Sequence, residues 1–98
     1  MRLDTKKAIG YIGGNEKLYS KILNSFYIKY KDFTFEGLDD NEINISAHSI
    51  KSISANLGAD KLSTISKDIE KTLNKELFEN FYEELNGVIK EIEEFLKL

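Results

Sequence analysis

The chain has 98 residues, 41% of them hydrophobic and 32% charged, with no cysteine, no proline, one histidine and a formal net charge of -3. That is the length of one domain with enough apolar content for a core, and the missing cysteines exclude disulfides, thiolate metal sites and thiol nucleophiles. The charges are mixed along the chain without the dense basic footprint of a nucleic-acid binder, no apolar run reaches membrane-spanning length, and Met1-Arg2-Leu3-Asp4 does not begin a signal peptide, so a soluble cytoplasmic domain is expected.

The absence of proline removes the strongest helix breaker, and the apolar spacing predicts five helices. Asp4 is placed to cap a short helix over 5–12 that carries Ala8, Ile9 and Ile12, and Gly13-Gly14 ends it. Asn15 caps a second helix over 16–32, whose apolar face is Leu18, Ile22, Leu23, Phe26, Tyr30 and Phe33. A loop from Thr34 to Leu38 contains Gly37. Asp39 and Glu42 then stand at capping-box spacing and start a third helix over 40–57, stopped by Gly58. Asp60 is expected to cap a fourth helix over 60–73, with Leu62, Ile65, Ile69 and Leu73 on one side, and Asn74-Lys75 breaks it. The last helix, 76–97, carries Phe78, Phe81, Leu85, Val88, Ile92 and Phe95, a stripe widened by Tyr82, Ile89 and Leu96.

The connections are short, which favours antiparallel neighbours. The expected fold class is therefore all-α: an antiparallel four-helix up-down bundle of helices two to five, with the short N-terminal helix packed across one end. Residues 1–98 read as a single domain without repeat or linker, and no second apolar face argues for anything but a monomer.

The histidine is the informative residue. With His48 at 0° on the third helix, Ile43, Ala47, Ile50, Ile53 and Leu57 fall between about 140° and 260°. The imidazole is thus opposite the core stripe and expected in solvent. Beside it fall Asn44, Ile45, Lys51, Ser52 and Ala55. A reachable imidazole with a cation one turn away suits a phosphoryl-accepting residue, since the neutral ring is a nucleophile and its reference pKa of about 6.5 leaves much of it neutral in the cell. Ile45 and Ala55 are the expected apolar contacts of a docking partner, with Asn44 beside them and Tyr11 and Ile12 extending the surface.

Other chemistries find less support. Gly10, Gly13 and Gly14 form neither a dinucleotide fingerprint nor a phosphate-binding loop, and no strand precedes them. One histidine and scattered carboxylates give no metal-ligand spacing. No ATP-binding segment is evident, so autonomous kinase activity is not expected. An enzyme using His48 as a general base lacks an evident partner nucleophile or acid in the sequence.

The run Ala47-His48-Ser49-Ile50-Lys51-Ser52, followed by Ala55-Asn56-Leu57-Gly58-Ala59, resembles the signature of histidine-containing phosphotransfer (HPt) domains. Ile12-Gly13-Gly14-Asn15-Glu16-Lys17-Leu18-Tyr19 is similar to that family's turn into its second helix, and the resemblance extends over about residues 5 to 97. Two departures stand out: Ile50 replaces the usual leucine, and Ser52 stands where the family most often has glycine. The resemblance implies a phosphoryl carrier, not an enzyme, in a two-component phosphorelay. His48 would be the phosphorylation site, attacking through Nε2. Lys51 would be the neighbouring cation, worth about 1 kcal/mol against phosphate charge at an exposed site. Ser52 would either bond a phosphoryl oxygen or simply keep the space that glycine leaves. The implied partners are response-regulator receiver domains and a sensor or hybrid histidine kinase. No cofactor is implied in this chain, because Mg²⁺ belongs to the receiver's acidic pocket. The alternative is a helical interaction module that binds receivers without being phosphorylated.

Overall fold

The first three helices of this chain begin where a side chain replaces a missing backbone partner. In a computed structural model describing residues 1–98, 77% of the chain is helical and there is no strand. Helix α1 spans Thr5–Tyr11 and is capped by Asp4, whose carboxylate accepts from the Lys7 amide at 3.1 Å. Helix α2 spans Glu16–Tyr30 under an Asn15 cap on Leu18 at 3.0 Å. Helix α3 spans Asp40–Leu57 behind a complete capping box, in which Asp39 and Glu42 each accept from the other's backbone amide.

Helix α4 spans Asp60–Thr72 and departs from expectation at its start. Ala59, not Asp60, is the capping position, and no side chain caps it. Asp60 lies in the first turn, where a carboxylate suits the helix dipole, and it pairs with Lys7 of α1. After α4, a 3-10 turn at Lys75–Leu77, capped by Asn74, leads into α5, Phe78–Leu96.

The helices touch in a closed ring: α2 on α3, α3 on α4, α4 on α5 and α5 on α2, with α1 against α2 and α3. The apolar stripes meet inside the ring, where Leu23, Phe26, Ile50, Leu57, Leu62, Ile69, Phe81, Leu85 and Ile92 are all fully or nearly fully buried. Each such side chain contributes about 1.5–3 kcal/mol of transfer free energy. At one end Phe35, from the loop, stacks on Phe78 with ring centroids 4.5 Å apart, and its amide donates to the Tyr82 hydroxyl at 2.9 Å. The aromatic loop residue thereby ties the α2–α3 connection to α5.

The pair α3–α4 positions everything that follows. Gly58 turns the chain at φ 84°, a left-handed conformation that favours glycine. It has a second reason to be glycine: a Cβ there would strike the backbone carbonyl of Asp4. The two helices run back antiparallel, fastened by Ser63 Oγ donating to the Lys51 carbonyl and Asn44 Nδ2 donating to the Glu70 carbonyl, both at 2.8 Å.

Candidate functional site

His48 projects from the middle of α3, on the side away from the buried Ile43, Ala47, Ile50 and Leu57. Its side chain is 60% exposed. What the sequence did not reveal is that the ring is held. Nδ1 lies 2.5 Å from Oε2 of Glu70 on α4, and the other carboxylate oxygen, Oε1, accepts from Lys51 Nζ at 2.7 Å. Glu70 therefore bridges two residues of α3 that are three apart.

The helix geometry explains the meeting. Side chains on a helix lean toward its N-terminus. In the antiparallel pair, Asn44 faces Glu70. Glu70 leans toward the level of residue 66, while His48 leans back toward the level of Asn44, so the two side chains close on each other. A hairpin register read from the Gly58 turn would have placed Glu70 within about one turn of the level of the histidine. The sequence offered that signal only weakly, because Glu70 sits at the edge of the α4 apolar stripe and reads as a solvated residue.

The electrostatics decide which ring nitrogen carries the proton. The Lys51 ammonium beside Glu70 holds its carboxyl below the usual carboxylate range, assisted by the bond to His48. An ionised carboxylate is an acceptor only. Nδ1 must then donate, and in the neutral ring the lone pair belongs to Nε2, on the side of the ring not engaged by Glu70.

The other candidate residues divide. Ile45 and Tyr11 are well exposed, at 56% and 59%. Ile12 and Ala55 are half-buried, and Ser52 is exposed. Ile12 and Tyr11 line a groove of about 430 Å³ together with Ile22 and Ile53, between α1, α2 and α3. Asn44 is half-buried, and its amide bonds the Glu70 carbonyl, a contact inside the protein that the sequence did not reveal. Lys51 stands one turn from His48 as expected, but its ammonium is engaged with Glu70 in place of an open position beside the ring.

The charges, mixed when read residue by residue, separate by region. Residues 1–31 carry seven Lys or Arg against Asp4 and Glu16, whereas residues 76–98 carry seven Glu against Lys90 and Lys97. The groove between α1, α2 and α3 is lined largely by residues of that N-terminal stretch. A second recess of about 430 Å³, lined by Arg2, Asp4, Gly58, Asp60, Lys61 and Glu84, lies at the far end of α3 and includes none of the His48 group. No group of three or more His, Asp or Glu side chains is disposed to hold a metal ion, and no helix is long and apolar enough to cross a membrane. The chain matches no protein-family model, no curated protein and no solved structure.

Proposed function

We propose that this chain is a phosphoryl carrier of the histidine-containing phosphotransfer kind, an up-down four-helix bundle that accepts phosphate on His48. The observation that carries the proposal is the setting of the imidazole: exposed, with Nδ1 against the Glu70 carboxylate and Nε2 on the unengaged side of the ring. The donor is the aspartyl phosphate of a response-regulator receiver domain. Nε2 attacks phosphorus in line, the N–P bond forms, and the P–O bond to the aspartate breaks, so the aspartate leaves as a carboxylate. The Nδ1 proton stays in place, and the ring gains positive charge. The Glu70 carboxylate stabilises that charge, as a buried acid stabilises an imidazolium in a hydrolase triad. Lys51 neutralises the excess negative charge that Glu70 would otherwise set beside an incoming phosphate.

The chain supplies a nucleophile and a surface. The receiver supplies Mg²⁺ and most of the transition-state stabilisation. The apolar groove that Tyr11 and Ile12 line, together with the exposed Ile45 one turn before His48, fits the partner's contact face, and the lysines of α1 and α2 suit its acidic pocket. A sensor or hybrid histidine kinase stands upstream, and the carrier works in the cytoplasm with them.

The test is transfer from a receiver charged with acetyl phosphate. Wild type takes up acid-labile label, and His48→Gln, folded by circular dichroism, takes up none. Receiver binding without label would replace this proposal by a non-phosphorylated interaction module.

A further inference from the structure

Since Glu70 holds the imidazole, the question is what holds Glu70. Helix α4 ends at Thr72, and the chain leaves it through Leu73 in the left-handed conformation, φ 54°. The last four carbonyls of a helix lack intrahelical partners. The Ile69 carbonyl is recovered by the Leu73 amide at 2.8 Å. The next, that of Glu70, accepts from the side chain of Asn44, 26 residues earlier on α3, at 2.8 Å. Asn44 lies one turn before His48 on the same face. Three neighbouring positions of α3, Asn44, His48 and Lys51, thus grip one residue of α4: by its backbone oxygen, by Oε2 and by Oε1.

We infer that Asn44 is a positioning residue for His48: its amide, by anchoring the Glu70 carbonyl, fixes where the Glu70 carboxylate stands and thereby which nitrogen of the imidazole is presented. The inference rests on the His48–Glu70 pair being the working part of the site. Its effect is local, because the α3–α4 pair has other fastenings. The Gly58 turn, the Ser63–Lys51 bond and the buried Ile43, Ile50, Leu62 and Ile69 keep the helices together without it. Without Asn44, the last turn of α4 has an unpaired carbonyl and is able to fray. The Glu70 side chain, set on that turn, then swings away from Nδ1.

The experiment reads the imidazole directly and needs no receiver. ¹⁵N-edited NMR of the His48 ring, at a pH where the ring is neutral, distinguishes the Nδ1–H from the Nε2–H form. Wild type is expected mainly as Nδ1–H. Asn44→Leu, similar in size but without a donor, is expected to shift the ring toward Nε2–H, and Asn44→Gln, which keeps the donor, to stay near wild type. In a Glu70→Gln background, Asn44→Leu is expected to add nothing. Phosphoryl uptake by Asn44→Leu should fall by about tenfold, the scale of one ordinary hydrogen bond. If Asn44→Leu does not fold cooperatively, Asn44→Ala is read in the same way. An unchanged ring in a folded Asn44→Leu protein, or a shift that persists without Glu70, overturns the inference. A shifted ring in a protein that takes up no phosphate upholds the positioning role and overturns only the carrier reading.

Discussion

Glu70 shows how one side chain can set the state of another. Its carboxyl is held below the ordinary glutamate value of 4.5, chiefly by the hydrogen bond from Lys51 and secondarily by His48. A carboxyl whose pKa is lowered by folding stabilises the native state fully above its unfolded value, and that contribution is lost as pH falls through the folded one. Urea midpoints between about pH 3 and pH 6 should therefore decline toward acid in wild type, and the decline should be shallower in Glu70→Gln. An unchanged acid slope would show that the Lys51–Glu70 contact is not maintained in solution. The same variant should slow phosphoryl uptake by about tenfold, since the ring loses its charged partner but keeps Nε2. Lys51→Ala should move in a related way. Glu70 then protonates at a higher pH, visible by ¹³C NMR of its carboxyl, and transfer slows without loss of fold.

At the scale of the element, the end of α3 holds two constraints. Gly58 takes a positive φ beneath the Asp4 carbonyl. Gly58→Ala adds a Cβ to both the strained conformation and the contact, and should cost about 2–3 kcal/mol in urea denaturation. One residue earlier, the Leu57 carbonyl accepts from the buried Tyr19 hydroxyl at 2.7 Å. Burial raises the Tyr19 pKa to about 12 from an ordinary 10.0. A raised pKa means stability that is whole below the unfolded value and lost as pH rises through the folded one. Wild type should thus weaken progressively from pH 10 to about 12. Tyr19→Phe should be less stable at neutral pH by about 1–2 kcal/mol, because the Leu57 carbonyl is left unpaired, and should lack that part of the alkaline decline. Equal alkaline slopes in the two proteins would mean that other tyrosines govern it.

For the whole molecule, the separation of charge has a kinetic consequence. Lysine and arginine predominate along residues 1–31, which include α1 and α2, and glutamate along residues 76–98, which include α5. Association with an acidic partner through the α1–α2–α3 groove should be steered, with an on-rate that falls as salt is raised while the dissociation rate changes little. Stopped-flow binding to a receiver between about 20 and 300 mM salt checks this, where screening lengths shrink from well above to below about 10 Å. A flat on-rate would place the contact elsewhere. The N-terminal segment also acts at this scale. Arg2 and Leu3 donate their backbone amides to Glu91, and Arg2 Nε reaches the nearly buried Glu84 at 3.1 Å, which fastens the start of the chain to α5.

How much of this was legible in the sequence depends on the range of the interaction responsible. The caps at Asp4, Asn15 and Asp39, the stop at Gly58 and the placing of His48 opposite the apolar stripe are decided within one or two helical turns, where 3.6-residue periodicity and backbone hydrogen bonding act. The exception at Asp60 is instructive: Ala59 is buried against the core at the turn, and the carboxylate goes to Lys7, 53 residues away. Long-range partners of that kind were not legible. That Lys51 faces Glu70 instead of open solvent, that Asn44 serves α4, and that Nδ1 of the imidazole meets a carboxylate all follow from the register of two helices packed side by side. The amino-acid order by itself determined the helices and the face of the histidine, because both arise from neighbours along the chain. The tertiary structure alone decided the partner of that histidine, because a carboxylate 22 residues away reaches Nδ1 only after the core has locked α4 against α3.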